Sequence, residues 1–221
     1  MKYFAGCDVG STTGKAVIMD ENGNILGHSI VPSTIDPEET ANRSLNQAMA
    51  MVDGSIDRTQ IEKIVGTGYG RIELGMADEN ISEISCHAAG ANFLDPDIRT
   101  VVDIGGQDCK AMGLREDGHV LDFVMNDKCA AGTGRFFEGM SRAFDKSLDE
   151  FSRLSLESHN PIPISSQCSV FAESEVVSMI HNNIPRPDMA RAVHDAIASR
   201  IISMVRRVGY TPPLSLIHIS E

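Results

Sequence analysis

The amino-acid sequence predicts an α/β protein built from a duplicated unit, and three observations support this prediction. A strand-like run that contains an aspartate occurs twice, over 3–9 and over 101–104. Each run is followed by a loop of small residues and by two more strand-like runs joined by an Asx-Gly turn. A helical pattern follows each copy. Two coincidental hairpins are the alternative, because such turns are common.

The bounds of the individual elements follow from the same patterns. In the first copy we predict strands and a helix over 3–9, 15–19, 25–31 and 37–53, with Asn22-Gly23 as the hairpin turn and Gly54 as the helix stop. In the second copy the predicted strands cover 101–104, 109–114 and 119–125, with Asp117-Gly118 as the turn. Further helices are expected from the Gly132-Thr133-Gly134 turn to residue 145, and over 188–208 before Gly209.

The loops after the two acidic strands are suited to binding phosphate. They contain the residues Gly10, Ser11, Thr12, Thr13 and Gly14 in the first copy and Gly105, Gly106, Gln107 and Asp108 in the second. Two such loops facing one cleft could hold the phosphates of a nucleotide through backbone N–H groups. Asp8 and Asp103 would then face a bound Mg²⁺ or its waters.

Neither loop matches a common nucleotide-binding motif. Lys15 follows a glycine, but Ala16 stands where a Walker A motif requires Ser or Thr. The segment 66–70 is rich in glycine but lacks the context of a dinucleotide-binding turn. We interpret it as a place where the backbone approaches a neighbour or a ligand.

Five cysteines are present, and two of them precede predicted helices. A helix start favours the thiolate of Cys129 and Cys168, which is the form that binds iron or zinc. One chain would supply only two ligands, so a four-thiolate cluster would require a second chain on a twofold axis. From the residues alone, burial as small apolar side chains is the favoured alternative. Cys7, Cys86 and Cys109 are predicted core residues.

Six stretches together resemble one known family, the 2-hydroxyacyl-CoA dehydratase activators, which are grouped with the ATPase subunits of benzoyl-CoA reductase. They occur in order between residues 3 and 210: DVGST at 8–12, GTGYGR at 66–71, SCHA at 85–88, VDIGGQD at 102–108, NDKCAAGTGRF at 126–136 and VFAESEV at 170–176. The resemblance implies the duplicated ribonuclease-H-like fold of actin, sugar kinases and heat-shock chaperone ATPases. The expected domains are 1–96 and 97–210, the second of them incomplete.

The resemblance also implies an ATP-driven electron carrier. It implies a homodimer that shares one [4Fe–4S] cluster, ligated by Cys129 and Cys168 of each chain. A ferredoxin or flavodoxin would donate one electron to the cluster. ATP hydrolysis would then drive the electron to a partner, a 2-hydroxyacyl-CoA dehydratase or a related acyl-CoA reductase component.

Roles for single residues follow from the resemblance as hypotheses. Gly10, Ser11, Thr12 and Thr13 would contact the β- and γ-phosphates, and Gly105 and Gly106 would form a second phosphate loop. Lys15 would neutralise phosphate charge, or it is a surface lysine. Asp8 and Asp103 would hold Mg²⁺ through water. Gln107 would orient the attacking water, with Asp108 as the competing candidate, and Gly132 and Gly134 would let a helix start approach nucleotide and cluster.

The last residues depart from the family pattern. After Gly209 the family continues with a strand and a Gly-Gly turn that contacts adenosine, which 211–221 does not match. We expect a C-terminally truncated chain that ends in a non-native tail over 211–221. The adenosine pocket and part of the second domain would then be missing.

Composition excludes several classes of protein. The chain has 221 residues, 42% of them hydrophobic, and a net charge of −12, which is ordinary for a globular protein. An acidic surface repels nucleic acid and anionic lipid, so neither is expected as a main partner. No apolar run reaches the roughly 18 residues of a membrane span. Residues 1–6 do not resemble a signal peptide, so we expect a cytoplasmic protein.

Two competing functions use the same fold. One is a kinase-like phosphotransferase without a cluster, since fold does not fix function. It would need an acceptor site but not two cysteines at helix starts. The other is a non-catalytic, ATP-dependent binding module in which the cysteines are structural.

Overall fold

A computed structural model describes residues 1–126, 133–160, 162–164 and 169–218. The chain divides into two units, Met1–Gly90 and Ala91–Glu221. This division falls within the helix Glu83–Leu94, and the domains 1–96 and 97–210 stay a prediction. Among the described residues no helix is both long and apolar enough to cross a membrane.

The first unit contains a mixed five-stranded sheet. Its elements are β1 (Tyr3–Val9), β2 (Thr13–Asp20), β3 (Ile25–Pro32), α1 (Pro37–Ala50), β4 (Ile61–Thr67), β5 (Glu79–Asn80) and α2 (Glu83–Leu94). The strand order is β3-β2-β1-β4-β5. The three N-terminal strands pair antiparallel, whereas β4 pairs parallel with β1. The three predicted strands and the helix of the first copy are therefore confirmed, with the helix ending at residue 50 instead of 53.

Local chemistry explains these elements. The turn between β2 and β3 has Gly23 at φ 84°, and the Asp20 carboxylate accepts hydrogen bonds from the backbone of Asn22 and Asn24. Helix α1 begins at Pro37 after the N-cap Asp36, whose side chain accepts from the Glu38 amide. Its buried apolar side chains pack against the sheet, in a core that includes Ala5, Cys7, Ala16, Ile18, Leu45, Ala48 and Met49.

The second unit repeats the strand pattern and adds helices. Its elements are β6 (Thr100–Ile104), β7 (Cys109–Leu114), β8 (Val120–Asn126), α3 (Gly134–Ala143), α4 (Leu148–Leu156), α5 (Ser169–His181), α6 (Arg186–Val208) and β9 (Leu214–His218). The sheet order is β8-β7-β6-β9, with β9 parallel to β6. Gly118 at φ 77° forms the turn between β7 and β8. The second copy's strands are thus confirmed within one residue of their predicted bounds.

The duplication keeps one spacing throughout. Each residue of the first copy has its counterpart 95 positions later, so that Asp8 corresponds to Asp103 and Lys15 to Lys110. In the register of each sheet these pairs face one another across β1–β2 and across β6–β7. Two hairpins that resemble each other by chance would not share both this spacing in sequence and the same strand register.

Helix α6 carries the core of the second unit. It covers Arg186–Val208, close to the predicted 188–208, and Gly209 follows in a left-handed conformation at φ 79°. The predicted apolar face is buried at Met189, Val193, Ile197, Met204 and Val208. One end of the helix packs against α3, α4 and α5, and the other against β6 and β7.

The segment expected to be a tail pairs with the second sheet. Residues 214–218 form β9, which takes the place beside β6 that β4 takes beside β1. The Thr100 hydroxyl donates to the Thr211 carbonyl oxygen at 2.7 Å, and the Arg99 amide donates to that of Pro213 at 3.0 Å. Backbone pairing accepts many sequences, so the non-native origin of 211–221 stays a prediction.

Candidate functional site

The first loop of the candidate site is closed by backbone hydrogen bonds. The Gly10 amide donates to the Thr13 carbonyl oxygen at 3.0 Å. Ser33, directly after β3, supports the loop twice: its amide donates to Thr12 O at 2.9 Å and its hydroxyl donates to Gly10 O at 2.8 Å. The loop is therefore held in one shape before any ligand binds.

Two hydroxyl groups of this loop lack partners. The Oγ1 atoms of Thr12 and Thr13 are buried and make no hydrogen bond with any residue that the structure describes. A buried hydroxyl without a partner is costly, and a phosphate oxygen would supply one. Ser11, beside them, is exposed at the loop tip. These residues fit the phosphate of a nucleotide.

Asp8 lies at the end of β1 between two basic side chains. Its Oδ2 is 3.5 Å from Lys15 Nζ and 3.7 Å from His87 Nε2 of α2. Burial alone would raise the pKa of the Asp8 carboxyl. The hydrogen bond with His87 and the charge of Lys15 outweigh burial, so the pKa lies below its usual value. An ionised carboxylate that keeps 18% of its surface exposed fits a hard cation such as Mg²⁺.

The glycine-rich segment after β4 packs against the same strand end. Gly68 has φ +90°, and a Cβ atom there would lie 2.3 Å from Asp8 Oδ1. The Gly70 amide donates to the Val9 carbonyl oxygen at 2.9 Å. The predicted close backbone approach is therefore confirmed, and the neighbour it meets is the Asp8 strand end.

The second loop repeats the closure of the first. The Gly105 amide donates to the Asp108 carbonyl oxygen at 3.0 Å, as Gly10 does to Thr13. The Asp108 carboxylate folds under the loop, because a Cβ atom at residue 105 would lie 2.3 Å from its Oδ1. Gln107 is exposed at the tip of this loop, and Gly106 is half-buried.

Asp103 is paired with a lysine that our sequence reasoning did not single out. Lys110 Nζ lies 3.2 Å from Asp103 Oδ2 and 2.9 Å from Asp108 Oδ1. The side chains of Lys110 and Asp103 are 1% and 0% exposed, so this ion pair is buried. Asp103 therefore presents much less surface to a hydrated metal ion than Asp8 does.

The start of α3 is attached to the second loop. The amides of Gly134 and Arg135 donate to the carbonyl oxygens of Gly105 and Gly106, at 3.0 and 3.1 Å. The amide of Gly134 is therefore already used by the loop, and the approach to nucleotide and cluster expected of this glycine stays a prediction. Gly132 lies outside the described residues.

Three of the five cysteines lie in the described part of the chain. Cys7 and Cys109 are buried, as predicted, and Cys86 is half-buried. Burial raises the pKa of the Cys7 thiol to about 12 and that of Cys109 to about 11, and it also raises the pKa of Cys86. Protonated thiols are poor metal ligands. Cys129 and Cys168 lie outside the described residues, Cys168 directly before the first residue of α5.

Sequence reasoning missed Ser33, His87 and Lys110. Lys110 was recognisable, since it stands 95 positions after Lys15. His87 belongs to the SCHA stretch at 85–88, but the sequence does not predict which carboxylate it contacts. Ser33 had no signal, because its role depends on β3 returning to the loop.

Comparison with known proteins identifies the family of this chain. The chain matches the BadF/BadG/BcrA/BcrD ATPase family over residues 5–218. It is 44% identical over 210 residues to the activator of lactoyl-CoA dehydratase from Anaerotignum propionicum, which covers 94% of this chain and 79% of that protein.

Solved structures give the same result. The (R)-2-hydroxyglutaryl-CoA dehydratase component A from Acidaminococcus fermentans superimposes with a TM-score of 0.91 at 36% identity, over 99% of this chain and 83% of that one. The activator of the 2-hydroxyisocaproyl-CoA dehydratase from Clostridium difficile, with bound ADPNP, gives 0.88 at 40% identity, over 98% and 80%. A putative N-acetylglucosamine kinase from Chromobacterium violaceum, at 0.55 and 12% identity over 98% and 87%, shares the fold alone.

The fold and these relatives identify an ATPase of the actin and sugar-kinase type, which confirms the predicted fold class. The chain belongs to the BadF/BadG/BcrA/BcrD ATPase family. The predicted resemblance to 2-hydroxyacyl-CoA dehydratase activators is also confirmed.

Proposed function

We propose that this chain is an activator that hydrolyses ATP to drive one-electron transfer to an acyl-CoA dehydratase. The observation that carries the proposal is the 44% identity to a named dehydratase activator over 94% of the chain. The family match over residues 5–218 also spans both phosphate loops and both cysteine segments. A protein of this kind needs a nucleotide site, a metal cluster and a partner.

ATP is bound through its phosphates by the two loops. The hydroxyls of Thr12 and Thr13, which have no hydrogen-bond partner among the described residues, donate to phosphate oxygens, and Lys15 neutralises phosphate charge. Asp8 holds Mg²⁺, directly or through its waters. Gln107 orients a water molecule for attack on the γ-phosphorus, so that ADP, phosphate and a proton leave.

The electron carrier of this proposal is a [4Fe–4S] cluster held by Cys129 and Cys168 of two chains in a homodimer. Cys129 and Cys168 are the ligands that the family resemblance implies, and the raised pKa values of the three described thiols support this choice, since protonated thiols are poor metal ligands. When bound, the cluster accepts and releases one electron. The donor is a ferredoxin or a flavodoxin, and the acceptor is the partner dehydratase or a related acyl-CoA reductase component.

A reconstituted activation assay tests this function. The chain is mixed without oxygen with a 2-hydroxyacyl-CoA dehydratase, reduced ferredoxin and Mg-ATP, and dehydration of the acyl-CoA is followed. We expect activation with ATP and none with the non-hydrolysable analogue ADPNP. Activation that does not depend on ATP would contradict the proposal, as would ATP consumption that occurs only with a sugar or acid that becomes phosphorylated.

A further inference from the structure

The two copies place a lysine at the same position but in different surroundings. Lys15 faces Asp8 across β1–β2, and Lys110 faces Asp103 across β6–β7. Lys15 is 20% exposed and 3.5 Å from its aspartate, with a second hydrogen bond to the Thr13 carbonyl oxygen at 3.3 Å. Its ammonium group can turn towards a ligand, because Asp8 stays 18% exposed and keeps His87 beside it.

Lys110 has no such freedom. Its side chain is 1% exposed, and its ammonium group is bound at once by Asp103 at 3.2 Å and by Asp108 at 2.9 Å. Moving it to a phosphate would break both of these ion pairs, one of them with a fully buried carboxylate, and separating a buried ion pair is strongly unfavourable. Lys110 is therefore committed to the two carboxylates.

The Asp108 carboxylate is constrained from the other side as well. It occupies the space that a side chain at residue 105 would need, since a Cβ there would lie 2.3 Å from Asp108 Oδ1. The same residue closes the loop through its carbonyl oxygen, which accepts from the Gly105 amide. Lys110 thus connects the end of β6 to the loop that carries Gln107.

We propose that Lys110 is a positioning residue: its buried ammonium group holds Asp103 and Asp108 and so orders the loop 105–108, while Lys15 is the one of these two lysines that contacts the nucleotide. The corresponding lysines of the two copies therefore have different roles: Lys15 binds the ligand, and Lys110 holds the loop. With Asp108 held in this way, orientation of the attacking water falls to Gln107. This inference rests on the proposed ATP hydrolysis.

Matched substitutions separate the two lysines. Wild type, Lys15→Met and Lys110→Met are compared in ADP binding without metal, in EDTA, at low and at high salt, and in kcat for ATP hydrolysis. A partly exposed charge is screened by salt, so Lys15→Met weakens ADP binding at low salt and removes part of its salt dependence. For Lys110→Met we expect ADP affinity within about threefold of wild type, the wild-type salt dependence, and a kcat about 100-fold lower because the loop is misplaced.

Each outcome bears on a different claim. If Lys110→Met loses ADP affinity and salt dependence as Lys15→Met does, Lys110 contacts phosphate and the proposal is wrong. A folded Lys110→Met protein with wild-type kcat also overturns it. If the wild type itself neither binds ADP nor hydrolyses ATP, the proposed function fails instead.

Should Lys110→Met not fold, a charge-balanced variant replaces it. Asp103→Asn combined with Lys110→Met removes both buried charges and leaves Asp108, which is 27% exposed and can be solvated. We expect this protein to fold and to bind ADP in EDTA within about threefold of wild type, because no phosphate contact is lost. A loss of ADP affinity as large as that of Lys15→Met would contradict the proposal.

Discussion

The backbone amide of Gly134 donates a hydrogen bond to the carbonyl oxygen of Gly105, with 3.0 Å between the nitrogen and the oxygen. Gly105 belongs to the second candidate phosphate loop, and Gly134 is the first residue of α3, five positions after Cys129. Arg135 makes the next bond in the same direction, to Gly106. A change in the loop on hydrolysis would therefore act directly on the segment that carries a proposed cluster ligand.

Removing this bond is expected to uncouple hydrolysis from activation. Gly134→Pro removes the amide donor and adds a ring at this buried position, where proline is accepted as the first helical residue and the preceding Thr133 already has extended backbone, at φ −106° and ψ 165°. We expect a loss of about 1 kcal/mol in the free energy of unfolding. Activated dehydratase per ATP hydrolysed should also fall. Gly134→Ala, which keeps the amide, is the control, and equal coupling in both variants would contradict this role.

The close approach of Gly68 to Asp8 predicts a sensitive position. Gly68→Ala places a methyl group 2.3 Å from Asp8 Oδ1 and also strains a backbone at φ +90°. Gly54→Ala is a matched control, since Gly54 has φ +83° and a methyl group added there would meet nothing within 4 Å. We expect Gly54→Ala to cost about 1 kcal/mol in urea unfolding, and Gly68→Ala about 3 kcal/mol with loss of hydrolysis. Equal costs would show that contact with Asp8 is unimportant.

Gln107 is expected to act on catalysis and not on binding. Its side chain is exposed at the loop tip, where it can hold a water molecule without supporting the fold. We expect Gln107→Ala to lower kcat for ATP hydrolysis by about 100-fold or more, with ADP affinity within about threefold of wild type. Single-turnover hydrolysis and ADP titration measure the two quantities separately. Hydrolysis at the wild-type rate would remove Gln107 from the proposed mechanism.

The sequence predicted the strands because their pattern is local. Alternating apolar residues and the turns at Asn22-Gly23 and Asp117-Gly118 lie within a few residues of each other, and the observed bounds agree. Which strands pair across long separations has no such signal. The parallel pairing of β1 with β4 and of β6 with β9 depends on how the chain returns to the sheet, and the segment forming β9 was taken for a tail.

The same distinction holds for the site. Asp8, Asp103 and the loop glycines were predicted because each aspartate stands just before its own glycine-containing loop in the sequence. His87, which lies 3.7 Å from Asp8, comes from a helix far along the chain. Lys110 differs from His87, because its position was predictable from the sequence. It stands in the second copy where Lys15 stands in the first, and it pairs with Asp103.

The buried thiols predict how stability depends on pH. In the unfolded chain Cys7 ionises near its ordinary pKa of 9.0, whereas burial holds the folded pKa at about 12. Between these values the unfolded state binds fewer protons than the folded state, so the free energy of unfolding falls as pH rises. Cys109, with a folded pKa of about 11, contributes in the same direction over a narrower range.

Urea unfolding at about pH 8 and about pH 10 measures this effect. We expect the free energy of unfolding to be lower at the higher pH. In Cys7→Ala we expect a smaller difference between the two pH values. Cys86→Ala, at a half-buried thiol, is the control and should change it less. A fall of the same size in Cys7→Ala would mean that the Cys7 thiol is already ionised in the folded protein and could serve as a metal ligand.

The most direct test of the proposed electron-transferring ATPase is the content of iron and acid-labile sulfide per chain after anaerobic reconstitution. The proposal predicts about two of each per chain, with a dimer in solution. Both should be lost in Cys129→Ser and in Cys168→Ser and kept in Cys7→Ala and Cys109→Ala. A folded chain that hydrolyses ATP but binds no iron, or that keeps its iron when Cys129 and Cys168 are replaced, would contradict it.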